Sequence, residues 1–220
     1  MQGDIIRASV VCRKMLSNVN ADLARSLNLK PEHKSIGMIT GSIDDITFIS
    51  LDEATKMADV EVVYGECTFS CLDENFTHFA GEAIGIIAGT NPAEVLSGLE
   101  TCSDYMENGP AYYIHGNDAG EMIYMAHCIS ATGNYLSAQC GIPPGTPIAY
   151  LTAPPIEQFY ALDAALKAAD VRIVKQFLPP LNTCNFGGAL LAGTQAACKA
   201  ACEAFEEACV YVANNPLALA

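Results

Sequence analysis

The thirteen residues Leu51 to Val63, LDEATKMADVEVV, return as Leu162 to Val174, LDAALKAADVRIV, at a constant offset of 111 with eight identities. A chain that repeats a segment at this distance is built from two similar units. Each copy carries apolar positions at helical spacing and then switches to β-branched residues, which reads as a helix running into a strand. Ser50 and Glu53 have capping-box spacing, so the first helix is predicted to begin there.

A second matching pair follows, GIIAGTNPAEVLSGLE from Gly85 and ALLAGTQAACKAACEA from Ala189, at an offset of 104. Both read as a buried strand, a glycine turn and a helix start, with Asn91 as N-cap and Pro92 at a tolerated first-turn position. The second half is thus expected to repeat the first as another α/β unit, with residues 1–110 and 111–220 as the two domains.

Composition narrows what such a chain can do. With 51% hydrophobic and 16% charged residues in 220, both halves can bury cores. A formal charge of −14 and only eleven Lys and Arg exclude a nucleic-acid partner, which phosphate binding would require to be basic. The N-terminus, MQGDIIRASV, has neither signal- nor transit-peptide character, and a cytosolic location is expected. Residues 122–156 contain no Asp, Glu, Lys or Arg, but six Gly and Pro between 133 and 147 rule out a membrane helix. This uncharged stretch is expected to be buried in a subunit or half-to-half interface.

The ten cysteines read as free thiols in a chain too large to need staples. Cys12, Cys102, Cys128, Cys198, Cys202 and Cys209 lie among small or apolar residues, where Cys acts as a small hydrophobe. Cys67 and Cys71 instead share a polar stretch with Asp73, Glu74 and His78. Cys-x3-Cys plus one His lacks the paired spacing of a closed zinc site, and incidental thiols are the simpler reading.

Along the chain, residues 1–16 read as a strand or arm, and Asn20 caps a short helix, ADLARSLNL. SIGMIT and IDDITFIS are predicted as two strands joined at Gly41 and Ser42, with TPIAYLTA and IEQFYA as counterparts. Residues 92–107 are predicted to form a helix with Leu96, Leu99, Cys102 and Met106 inward. The last helix, 195–213, repeats Ala197, Ala200, Ala201, Ala204 and Ala208. Residues 64–81 and 175–188 are predicted as long loops at matching places, and loops of that length are usually functional. No P-loop, Rossmann fingerprint, zinc-protease helix or nucleophile elbow occurs, so no catalytic set is recognisable.

The halves differ in their acids. Asp44 and Asp45 correspond to Pro155 and Ile156, and Glu82 to Phe186. On a strand, adjacent residues face opposite sides, so one of the two aspartates would point inward. Two readings stand: surface acids of an acidic protein, or a pocket for a small cation to which Tyr112 or Tyr113 adds a ring face. His33, His78, His115 and His127 lack an i, i+4 partner and read as ordinary surface or core residues.

Through SNVNADLARSLNL, DDITFISLDEATKMADVEVVYG, GTNPAE, ATGNYLS, AYLTAPP, DAALKAADV and GTQAACKAAC the chain resembles the tandem-domain shell proteins of bacterial microcompartments, ethanolamine-utilization type. The resemblance implies an α/β, sandwich-like chain of two circularly permuted shell domains, ferredoxin-like in character, with three chains forming a hexagon-shaped pseudohexamer. It implies a location in the microcompartment shell, neighbouring shell proteins as partners, and a central channel gated by the two long loops. The matching gate positions are Cys67, Cys71, Asn75, Phe76, Phe177, Pro179, Asn185 and Phe186. The family holds ethanolamine in a small acidic pocket, at positions that match Asp44, Asp45 and Glu82, with Tyr112 and Thr183 as neighbours. No cofactor is assigned, and zinc and cobalamin stay open. The alternatives are a tile of another microcompartment, of propanediol type, and an enzyme of small amines.

Overall fold

The structure is a computed structural model that describes residues 4–68, 82–117, 120–178 and 186–218. The chain divides into two compact units: one of Arg7–Pro110 with Gly133–Leu136, the other of Met1–Ile6, Ala111–Thr132 and Ser137–Ala220.

The first unit contains β2 (Val10–Leu16), α1 (Ala21–Ser26), β3 (Ser35–Gly41), α2 (Asp44–Met57), β4 (Val60–Thr68), β5 (Glu82–Gly89) and α3 (Pro92–Asn108). Its sheet is antiparallel, in the order β2-β3-β5-β4. Strand β5 shows why the sheet needs cover on both faces. Ile86 and Ala88 join Ile36 in a cluster with Val19, Leu27 and Leu29. Residues one step along the strand turn the other way, and there Gly85 lies against Leu51 of α2 and Ile87 against Gly98 of α3. Helix α3 is started by Asn91, whose side chain accepts the N–H groups of Ala93 and Glu94 at 3.0 Å, with Pro92 in the first turn, as expected.

The second unit contains β1 (Asp4–Ile6), β6 (Tyr112–Asn117), β7 (Gly120–Ile129), β8 (Ile148–Ala153), α5 (Glu157–Ala168), β9 (Val171–Phe177), β10 (Gly187–Gly193) and α6 (Gln195–Asn214). Its six strands run in the order β1-β6-β7-β8-β10-β9, with α5 and α6 packed on the sheet. Tyr124, Leu151, Leu191 and Phe205 centre the core. Helix α4 (Asn134–Cys140) spans the boundary between the residue sets of the two units.

Several expectations are corrected. IDDITFIS and IEQFYA are not strands: they lie in the opening turns of α2 and α5, which begin at Asp44 and Glu157 rather than further along. Ser50 is therefore no cap. It is a buried mid-helix residue whose hydroxyl donates to the Ile46 carbonyl at 2.7 Å. Leu96 points outward and is 47% exposed, whereas Val95, Leu99, Cys102 and Met106 carry the buried face of α3. Cys12 is exposed. Within the uncharged stretch, β8 is buried along its whole length, and Gly133–Leu136 is grouped with the residues of the first unit.

Candidate functional site

Asp44 and Asp45 open α2, and both are half-buried. Ile43, at the N-cap, makes no side-chain bond, and the Asp45 N–H donates to Asp44 Oδ1 at 2.9 Å. Two carboxylates in a first helical turn complement the positive end of the helix dipole. That pole alone would repel a cation, but two full negative charges outweigh its half charge and leave the helix start net attractive to an ammonium group.

The sheet brings a third acid to the same end. Gly41 of β3 is registered with Ala83 of β5, so Glu82, the first residue of β5, lies opposite the turn that leads into Asp44. The Glu82 side chain lies outside the described residues, as does Thr183.

Tyr112 belongs to the other unit, at the start of β6. It is 5% exposed, its hydroxyl accepts the Thr152 hydroxyl at 2.9 Å, and its ring packs against Phe186 at 6.1 Å. Of the predicted gate residues, Cys67 is half-buried within β4. Phe177 ends β9 with its ring 5.8 Å from Tyr150, and Phe186 immediately precedes β10. The strands extend further into the expected loops than predicted, to Thr68 and Phe177. Cys71, Asn75, Phe76, Pro179 and Asn185 lie outside the described residues.

The sequence reading passed over one buried carboxylate. Asp52 is 1% exposed and accepts the N–H groups of Gly133 and Leu136 at 2.7 and 2.8 Å. Burial pushes its carboxyl above the usual range, against the pull of those two donors and of Lys56. Its duplicate, Asp163, is an exposed partner of Lys167, so the repeat itself concealed the difference.

Burial pushes Cys102 and Cys202 up to about 12, which keeps them protonated at neutral pH. Among the described residues no group of three or more His, Cys, Asp or Glu is placed to hold a metal ion, and no helix is long and apolar enough to cross a membrane.

Comparison with known proteins decides the family. The chain is 51% identical over 217 residues to the bacterial microcompartment shell protein EutL of Clostridium perfringens, covering 99% of each chain. The chain belongs to the EutL family of bacterial microcompartment shell proteins. It is also 46% identical to the Escherichia coli EutL over 214 residues, 97% of each chain. The crystal structure of the ethanolamine utilization protein EutL from Leptotrichia buccalis superposes with a TM-score of 0.92 at 51% identity, covering 99% of this chain and 100% of that one. No family model matches. The relatives are shell proteins, and the role of the chain is structural rather than enzymatic. The trimeric shell protein PduB, at a TM-score of 0.74 and 18% identity, shares the fold.

Proposed function

We propose that this chain is a tile of the ethanolamine-utilization microcompartment shell. Three copies close into a hexagon-shaped trimer that packs beside other shell proteins. The connections between β4 and β5 and between β9 and β10 border its central channel. Asp44, Asp45 and Glu82 bind protonated ethanolamine, and occupancy favours the closed channel. The observation that carries the ligand reading is the acidic helix start of α2, with Glu82 registered beside it, where the duplicate positions hold Pro155, Ile156 and Phe186.

A carboxylate cluster suits an ammonium group, which needs acceptors and no deprotonated thiol. The propanediol-type alternative is the weaker reading. The PduB of Salmonella typhimurium is 30% identical over 191 residues, covering 80% of this chain and 64% of that one. Calorimetry with ethanolamine on the parent, Asp45→Asn and Glu82→Gln tests the site. Parent-like binding by both variants would place the ligand elsewhere.

A further inference from the structure

Helix α6 carries two cysteines one turn apart, Cys198 and Cys202, and both are buried in the core of the second unit. A third thiol faces the helix from β7. Cys128 packs against the same core, and its thiol donates to the carbonyl of Gln195, in the first turn of α6, at 3.9 Å. A cysteine reaches only one heavy atom beyond its Cβ, so this contact brings the backbones of β7 and α6 close together. Small residues in the same core, Ala126 and Ala149 on the strands and Ala201 on the helix, leave room for that approach. All three cysteines are free thiols.

The contacts along β7 single out Cys202 as the partner of Cys128. Gln195, Lys199, Cys202 and Glu206 follow one another at spacings of three and four, so they share one flank of α6. Strand β7 lies along that flank: Cys128 meets it at Gln195, and the Tyr124 hydroxyl donates to Glu206 Oε1 at 3.0 Å. Cys202 stands between these two contacts. Cys198 belongs to the adjoining row with Ala201 and Phe205, is fully buried, and turns its thiol to the Leu191 carbonyl of β10 at 3.8 Å.

The two thiols differ in their surroundings. Burial pushes the Cys128 thiol up, and the Lys199 ammonium draws it back. Cys202 has no such offset: burial pushes it up to about 12, and charge on the neighbouring Cys128 adds to the rise. Cys128 is also only half-buried, whereas Cys202 is 8% exposed. A small oxidant therefore meets Cys128 first, and Cys202 is the thiol that answers it.

We propose that Cys128 and Cys202 form a peroxide-sensitive dithiol, which oxidation closes into a disulfide between β7 and α6. The Cys128 sulfur attacks one oxygen of hydrogen peroxide, the O–O bond breaks, and Cys128 becomes a sulfenic acid with release of water. The Cys202 sulfur then attacks the Cys128 sulfur. The S–S bond forms, the S–O bond breaks, and the Cys202 proton leaves with the hydroxyl as a second water. The two thiols together lose two electrons and two protons, which reduce the peroxide to water. A thiol reductant reverses the link by exchange.

The link joins residues 74 apart, 202 less 128, and clamps the last helix to its sheet. Closing a loop of that length restricts the unfolded chain and so favours the folded unit. The first half has no equivalent. Met15 is registered with Gly37 as Cys128 is with Ala149, and the offset of 104 carries Cys202 to Gly98. The dithiol thus belongs to the second unit alone, and it depends neither on the acids of α2 nor on the proposed trimer.

The test is to treat the parent, Cys128→Ala, Cys198→Ala and Cys202→Ala with hydrogen peroxide, block the remaining thiols by alkylation, and map peptides by mass without reductant. Digestion with trypsin and chymotrypsin, cutting after Tyr124, Tyr135, Lys199 and Phe205, puts the three thiols on separate peptides. The expected result is a Cys128–Cys202 linked pair, within a single chain on a non-reducing gel, in the parent and in Cys198→Ala. Dithiothreitol should release it, and the other two variants should lack it. The oxidised parent should also unfold at a higher urea concentration than the reduced one, a shift absent from Cys128→Ala, with circular dichroism to verify its fold. If Cys202→Ala fails to fold, the maps of the parent and Cys198→Ala still decide. A link from Cys128 to Cys198 or to another chain overturns the proposal, as does the absence of any link at peroxide concentrations that oxidise the exposed Cys12.

Discussion

Asp52 accepts the backbone N–H of Leu136 at 2.8 Å across 84 residues of sequence. Its other oxygen takes the Gly133 N–H at 2.7 Å, so one buried carboxylate holds both donors at the start of α4. Gly133 has no side chain with which to cap that helix, and its Cβ-free backbone is what lets the segment approach α2 so closely. Asp52→Ala leaves two buried donors without an acceptor and is expected to cost about 2–4 kcal/mol. Urea unfolding of the parent and the variant measures it, and a loss below about 0.5 kcal/mol, the scale of an ordinary surface change, would contradict the assigned role.

The same carboxylate makes stability depend on pH in a predictable direction. Burial raises the Asp52 carboxyl above its unfolded value near 3.8, so over the window between the two the folded state keeps a proton that the unfolded chain has released. The unfolded state then binds fewer protons, and the Asp52 contribution falls as pH rises through the window. Below the unfolded value both states are protonated and the contribution is at its largest. Unfolding free energies of the parent relative to Asp52→Asn should therefore decline from about pH 4 upward. A difference that grows with pH over that range would mean that the two backbone donors outweigh burial.

Thiol chemistry separates the cysteines by burial. Cys12 is exposed, while Cys102 and Cys202 are buried and pushed up to about 12. Alkylation at pH 8 followed by peptide mass mapping should label Cys12 in the native protein and reach Cys102 and Cys202 only after denaturation. Labelling of Cys102 at the rate of Cys12 would show that α3 opens readily.

The duplication and the caps could be read from the sequence because they rest on local chemistry. Asn91 with Pro92, and Asn20, hold the helix starts that their side chains favour. The start of α2 was hidden by composition. Ile43, Ile46, Thr47 and Ile49 are β-branched and read as a strand, but three of them are buried against the sheet as one face of a helix. Ile46, Thr47 and Ile49 take those buried places, and the overlooked signal was Asp44 with Asp45, an acidic first turn. The seat of Leu136 on α2 could not be read at all. It depends on where a segment of one half packs, and the repeat displays only the equivalence of Asp52 and Asp163, not which of the two is buried.

Gly85 shows how the repeat handles close packing. A Cβ at Gly85 would lie 2.5–2.9 Å from three carbons of Leu51, a fully buried side chain. The second half has alanine at the matching position, Ala189. Gly85→Ala should destabilise the first unit by about 1–3 kcal/mol through overpacking. Combining it with Leu51→Val, which withdraws the obstructing methyl groups, should cost less than the sum of the single changes. Strict additivity in chemical unfolding would mean that Leu51 is not what resists the new methyl.

Ethanolamine should bind weakly and through charge. One carboxylate about 4 Å from the ammonium offers on the order of 4 kcal/mol at an effective dielectric near 20, before the cost of removing both groups from water. A ligand of four heavy atoms reaches at most about −1.5 kcal/mol per atom, roughly −6 in all, which corresponds to tens of micromolar. Asp44 and Asp45 are half-buried, so salt should screen them less than a free surface pair, but it should still weaken binding. For occupancy to favour a closed channel, the closed form must bind more tightly, and a tenfold preference corresponds to about 1.4 kcal/mol. Titration calorimetry of the parent at low and high salt, beside Asp45→Asn and Glu82→Gln, measures each step. The expected outcome is binding no tighter than tens of micromolar that weakens with salt and falls at least tenfold in each variant. Submicromolar affinity in the parent, or binding indifferent to both substitutions, would show that groups other than these acids hold the ligand.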